Sequence, residues 1–258
     1  MTTITFDSND LQTASILTES IEHSSIPTKD VKLYALAHAN KSVIPHVSYP
    51  SKRIRISGTL IAASIVAMDA LEDTFKSYFR GTDKNLDIGH NSGTRRYIAT
   101  VNGMSIDRPG GLQYAKFNIE FVCTDPFGRN TSTSSALSAD NRTLASYDDD
   151  DYVFLGTAPF QLPVITILYD AISGGTAKTV SYGNGDTGQT ISITRTWVAG
   201  ETLVIDTFNR TVMVDSVEVD FTGAFPIFEP GASSLIYTDD FTTSRTFDID
   251  VDYYPRYL

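Results

Sequence analysis

A mainly β protein of two domains with a single α-helix is what this sequence predicts, and three observations carry the prediction. Period-two alternation of apolar and polar residues recurs along almost the whole chain. Only residues 53–81, RIRISGTLIAASIVAMDALEDTFKSYFRG, hold a helical spacing. Charge is divided sharply: residues 1–140 carry 14 Lys+Arg and 14 Asp+Glu, residues 141–258 carry 6 and 17, so the whole formal charge of −11 lies in the second half. Such a split suggests two domains facing different surroundings. It also argues against nucleic-acid binding by the second half, because phosphates need a basic footprint.

At the start of this stretch, Lys52 to Ile56 alternates basic and apolar, as a half-buried strand does. From Ile61 onward the apolar residues Ile61, Ile65, Met68, Leu71, Phe75 and Phe79 fall at the three-and-four spacing of one helical face. The expected helix covers about residues 59–80, with Ser57, Gly58 or Thr59 at its start and Gly81 closing it. It is expected to pack Ile61, Ile65, Met68, Phe75 and Phe79 on an N-terminal sheet, because one helix cannot bury its own apolar face.

Around that centre the first half reads as strands. Residues 2–6 alternate. Residues 15–26 are ambiguous between strand and helix. Residues 31–37 and 42–49 resemble two strands joined at Asn40-Lys41, and Pro45 and Pro50 demote the second to an edge or irregular strand. Residues 95–106 and 112–124 form a hairpin closed by Asp107-Arg108-Pro109-Gly110-Gly111. In its second arm Ala115, Phe117, Ile119, Phe121 and Cys123 share one face.

Residues 131–157 read as a polar, acidic linker, rich in Ser, Thr, Asn and Asp and ending in the aspartate run at 148–151. The domains are then 1–130 and 158–258. From Pro163 on, short strands alternate with Gly-rich turns, the pattern of an antiparallel β-sandwich.

The residues that could carry chemistry point away from catalysis. His23, His38, His46 and His90 show no ligand spacing. Cys123, the one cysteine, sits on an apolar strand face as an inert thiol and excludes an internal disulfide. The aspartate run lacks the spaced ligands and turn glycine of a calcium loop. Trp197 with Tyr182 and Tyr237 could form a sugar-stacking platform, but Ile191, Ile193 and Trp197 share a face that reads as core. Asp248, Asp250 and Asp252 align on one face of the last long strand. Like charges so placed need water, cations or a basic partner, and they are the candidate partner-docking residues. No cofactor and no metal site is expected. No run approaches the roughly 18 apolar residues of a membrane helix. The start, MTTITFDSND, lacks a secretory pattern, so synthesis and folding in a reducing cytoplasm are expected.

Together the halves resemble the distal tail proteins of long-tailed bacteriophages. The likeness runs through Arg55-Ile-Ser-Gly58, Arg96-Tyr-Ile-Ala99, Phe117-Asn-Ile-Glu-Phe121 and Asp125-Pro-Phe-Gly128. It continues through Gly200-Glu-Thr-Leu-Val-Ile-Asp206, Arg210-Thr-Val, Gly223-Ala-Phe-Pro226, Pro230-Gly231 and Tyr254-Pro-Arg-Tyr-Leu258. The resemblance implies a virion structural protein, not an enzyme. Its N-terminal domain would be a β-sandwich or split barrel with one helix that assembles into a ring, usually a hexamer. That ring would continue the tail tube and let DNA pass without specific binding. The C-terminal domain would be a galectin-like sandwich on the outside, docking tail-tip, baseplate-hub or receptor-binding components. The alternative is a carbohydrate-binding module or adhesin, which a C-terminal sandwich alone would allow.

Overall fold

The computed structural model describes residues 3–258 apart from 24–26, 28, 36–41, 112, 173–175 and 243. The chain divides into two compact units, Met1–Thr131 with Leu258, and Ser132–Tyr257. Each has its own cluster of buried apolar side chains, with no residue in common.

Unit 1 holds β1 (Ile4–Phe6), β2 (Asn9–Asp10), β3 (Ile16–Glu22), β4 (Asp30–Ala35), β5 (Ser42–Ser48) and β6 (Lys52–Ile61). After them come α1 (Ile65–Ser77), β7 (Lys84–His90), β8 (Gly93–Asp107), β9 (Tyr114–Cys123) and β10 (Gly128–Asn130). The main sheet runs β2-β1-β7-β8-β9-β6-β3, with β10 antiparallel on β8, while β4 and β5 pair with each other as a separate two-stranded sheet. Alternation sets the faces: Ile54, Ile56 and Leu60 of β6, and Ala115, Phe117, Ile119, Phe121 and Cys123 of β9, are buried, whereas Arg53 and Arg55 are exposed. Ambiguous residues 15–26 resolve into a strand at Ile16–Glu22. The expected turn at Asn40-Lys41 lies outside the described residues.

The two ends of this sheet meet. Leu11 N donates to Ile4 O (2.8 Å), and Thr18 Oγ1 donates to Leu11 O (2.7 Å), tying β3 back to the β1 turn. Inside, Phe6 of β1 lies 5.1 Å from the Phe121 ring of β9, and Phe79 lies 5.5 Å from Phe6. Phe75 of α1 packs on Phe117 at 4.9 Å. A curled sheet closed over by one helix is a split barrel.

The helix is shorter than the sequence suggests. It starts at Ile65, where Ser64 Oγ accepts from Ala67 N (3.1 Å), the side-chain cap an N-terminus requires. Ile61 belongs to β6 and is exposed, and Ile65 at the first helical position is 54% exposed, so neither enters the core as expected. The cause is that the strand period persists through Leu60, and its last residue happens to fall in phase with the helical stripe. Met68 and Phe75 are buried, and Phe79 lies partly buried beyond the helix end. Gly58 is no helix start: it lies mid-strand, where a Cβ would come 2.1 Å from Leu17 O and 2.7 Å from the Phe117 ring. Gly81 does not adopt a left-handed φ, and the helix ends on Tyr78.

Unit 2 is a sandwich of two antiparallel sheets. One is β11 (Ser134–Arg142), β21 (Arg245–Tyr253), β13 (Val164–Ile172), β16 (Thr202–Asp206), β17 (Thr211–Val214) and β18 (Val217–Glu218), in that order. The other is β12 (Ser146–Phe154), β20 (Gly231–Asp239), β14 (Lys178–Asn184), β15 (Gln189–Arg195) and β19 (Thr222–Gly223), with β22 (Arg256–Tyr257) closing the unit's chain. The inward rows Ile165-Ile167-Tyr169, Phe247-Ile249-Val251 and Val180-Tyr182 meet over one core.

The segment read as a linker at 131–157 is instead built into this sandwich. β11 pairs with β21 and β12 with β20, each as an edge strand. Edge strands carry charge and polarity that discourage pairing with another chain, so their composition imitates a linker. Their anchors are Leu137, Tyr147, Tyr152 and Phe154, all buried.

Candidate assembly surfaces

The chemistry-bearing residues fall into two surfaces, one in each unit. Trp197, Tyr182 and Tyr237 are not among them. All three are buried, and Trp197 Nε1 donates to Lys178 O (3.0 Å), so these rings build core and no sugar platform. Cys123 is buried too, and burial pushes its thiol up to about 12, away from the thiolate a nucleophile needs. Among the described residues no three His, Cys, Asp or Glu side chains are grouped to hold a metal.

The first surface is the seam of the split barrel. A cavity of about 610 Å³ lies there, between Thr18, Glu19, Ser20, Ile21 and His23 on one wall and Ile4, Gly89, His90 and Asn91 on the other. His23 and His90 meet across it, edge to face, with ring centroids 4.9 Å apart. They are 67 residues apart in sequence, and only the curl of the sheet brings them together. Both are held below the usual imidazole range. For His23 the causes are burial and then the neighbouring charges of His90 and Lys52; for His90 they are burial, Arg95 and Lys52. Lys52 is itself buried, its ammonium 5.3 Å from the centre of the Tyr97 ring, and burial lowers its pKa.

The second surface is the outward face of the six-stranded sheet. Phe247, Ile249, Val251 and Tyr253 of β21 point inward, which turns Asp248, Asp250 and Asp252 outward together. Because β21 lies between β11 and β13, each aspartate has neighbours on both sides. Asp250 stands between Ser138 and Thr166, Asp252 between Ser135 and Val164, and Asp248 beside Leu168. Among the described residues one carboxylate bond is made within the unit: Asp248 Oδ1 accepts from Asn141 N (2.7 Å). Among the described residues none of the three forms an ion pair. The face continues through Val204 and Asp206 of β16 and Met213 of β17, so acid and aliphatic side chains share it. The aspartate run at 148–151 lies elsewhere, on edge strand β12, where Asp148 accepts a hydrogen bond from Ser234 Oγ.

Sequence alternation exposes the aspartate stripe directly. It does not expose the His23–His90 pair, since neither the spacing nor the local pattern of those residues encodes it.

No family model and no curated protein matches this chain. Its fold is that of the SPP1 Dit (gp 19.1) protein, described as a paradigm of the hub adsorption apparatus in phages infecting Gram-positive bacteria. Both chains are covered over 100% of their length, at a TM-score of 0.69 and 12% sequence identity. Chains of the phage P2 baseplate in its activated conformation, with Ca and with Sr, are similar over 97% of each chain at TM-scores of 0.49 and 0.48 and 10% identity.

Proposed function

We propose that this chain is a structural protein of a phage tail tip, one that forms a ring joining the tail tube to the baseplate or receptor-binding apparatus. The observation that carries the reading is the likeness to the SPP1 Dit protein along the full length of both chains, through both units. A likeness confined to one sandwich would have been compatible with an isolated binding module.

In this reading unit 1, with residues 1–130, supplies the ring contacts, and the ring has six copies, as the family resemblance implies. Its near-zero charge lets copies approach without net repulsion. DNA crosses the channel without being bound. Unit 2 lies outside and offers Asp248, Asp250 and Asp252, with the aliphatic residues around them, to a basic face of a neighbouring tail protein. The product is a virion component made in the host cytoplasm, without catalytic activity. Negative-stain microscopy of the full chain tests this: rings with a central channel are expected, and a field of single particles of one chain each would refute it.

A further inference from the structure

Four strands of unit 1 end their inward rows on a base, all at the same end of the barrel. The row of β6 is Lys52-Ile54-Ile56, that of β7 Leu86-Ile88-His90 and that of β8 Arg95-Tyr97-Ala99. β3 contributes Ile21, which packs on the core, and His23 two residues on. Strand pairing fixes the common end: Arg95 stands opposite Ile88, Ala99 opposite Cys123, and Cys123 opposite Lys52. Ile21 is opposite Ile56 and Glu22 opposite Arg55, so β3 runs toward the same end.

The charges that act on the two imidazoles are those of bases, His90 and Lys52 on His23, and Arg95 and Lys52 on His90. The acids of the surrounding elements are engaged or turned away. Asp87 takes its two bonds from Arg96, Asp10 accepts from Gln12 N, and Asp125 accepts from Phe127 N. Glu22 alternates to the other face of β3. Glu19 accepts from Thr59 Oγ1 and lies four residues from His23, about 13 Å along the strand. Among the described residues the buried Lys52 ammonium forms no ion pair and faces the Tyr97 ring instead. A buried cation without a counter-charge is costly. Beside the imidazoles lies the seam cavity of about 610 Å³, with Gln12 and Asn91 supplying amide donors in its walls.

We propose that this end of the barrel binds a phosphate-type dianion, seated in the seam cavity against His23 and His90, with the charges of Lys52 and Arg95 adding to theirs. The anion supplies the negative charge that the four bases lack and bridges β3 and β7, the two walls of the seam. Its entry turns repulsion among the bases into attraction, so the imidazoles take up protons as it binds. All of these groups belong to one chain, so the site does not depend on the ring reading.

The phosphorus NMR line width of inorganic phosphate, measured with the full chain, tests this. Broadening is expected at about pH 6, with binding at least about tenfold weaker at about pH 8, where the imidazoles hold no proton. Phosphate itself gains negative charge over that range, so weaker binding at the higher pH reports the protein's protons. His23→Gln and His90→Gln, each at the end of its strand's inward row, should each abolish most of the broadening while the unit 1 calorimetric transition persists. Sulfate should displace phosphate and acetate should not. No broadening at either pH, equal binding at both, or broadening that survives both substitutions would overturn the inference. Displacement by acetate but not by sulfate would also overturn it, in favour of a carboxylate ligand.

Discussion

On the outward face of the unit 1 sheet, opposite charges are matched within the face. Glu120 of β9 accepts from Arg53 Nη1 and Arg55 Nε, each at 2.9 Å, and from Asn102 Nδ2 at 2.8 Å. Those bonds, led by Arg55 and Asn102, hold its carboxyl below the usual range. Asp87 of β7 takes two bonds of 2.7 Å from Arg96 on the next strand. On the outward face of unit 2, Asp248, Asp250 and Asp252 have serine, threonine and aliphatic neighbours instead. The same alternation turns both sets of carboxylates outward; what differs is the facing strand. β6 sets Arg55 opposite Glu120, whereas β11 and β13 set Ser138 and Thr166 beside Asp250.

Matched charges cancel each other's field and specify strand register. Unmatched charges keep their field for something outside. The cost to the fold is modest: carboxylates two residues apart on a strand are about 7 Å apart, and at the dielectric of water each such pair repels by about 0.6 kcal/mol. A face that tolerates this repulsion and retains its field is suited to a basic partner.

The comparison can be broken at the cores first. If the two units are independent, Phe75→Ala should lower one calorimetric transition and Trp197→Ala the other, each by about 3–5 kcal/mol for a buried aromatic ring. Ile65→Ala, at an exposed helix start, should stay within about 0.5 kcal/mol. Loss of both transitions from one substitution would mean that the units fold as one.

Acid should separate the units next. All four histidines lie in the first 90 residues. His23 and His90 have folded pKa values below the ordinary 6.5, so at neutral pH they are neutral in the folded and unfolded chain alike. As pH falls through 6.5 the unfolded chain takes up protons that the folded chain refuses, and stability drops until the lower folded pKa is reached. The unit 1 transition should therefore fall with pH in that window, and His23→Gln should flatten the slope. An imidazole titration by NMR that placed either group at or above 6.5 would contradict the sign.

The smallest effect on stability, within about 0.5 kcal/mol, is expected from changing Asp248, Asp250 and Asp252 to Asn together. In the role proposed above, its consequence should appear in capture of neighbouring tail proteins. Wild-type binding should weaken between 0.1 M and 1 M salt, as the screening length falls from about 10 Å to about 3 Å, and the triple variant should bind weakly at both. Equal binding by both proteins would leave the stripe a solvated face.

Where inward and outward residues alternate cleanly, the sequence already discloses the structure. Phe117, Ile119 and Phe121 in β9 and Phe247, Ile249 and Val251 in β21 announce their buried faces, and hence the aspartate stripe. Two failures have physical causes. Ile61 falls in phase with the helical stripe although it lies on the exposed face of β6, next to buried Leu60, so pattern alone does not find the boundary that Ser64 marks as a cap. The residues of β11 and β12 look like linker because an edge strand is selected to be polar, and only Leu137, Tyr147, Tyr152 and Phe154 betray them. The seam, with its cavity and facing histidines, depends on how far the sheet curls, which no local pattern records.

The central claim, that unit 1 carries the self-association and unit 2 the outward docking, is tested most directly by sedimentation velocity of the separated units, cut between Thr131 and Ser132 where the cores divide. Residues 1–131 should sediment as an oligomer and residues 132–258 as a monomer. A monomeric first fragment beside an oligomeric second one would contradict the account.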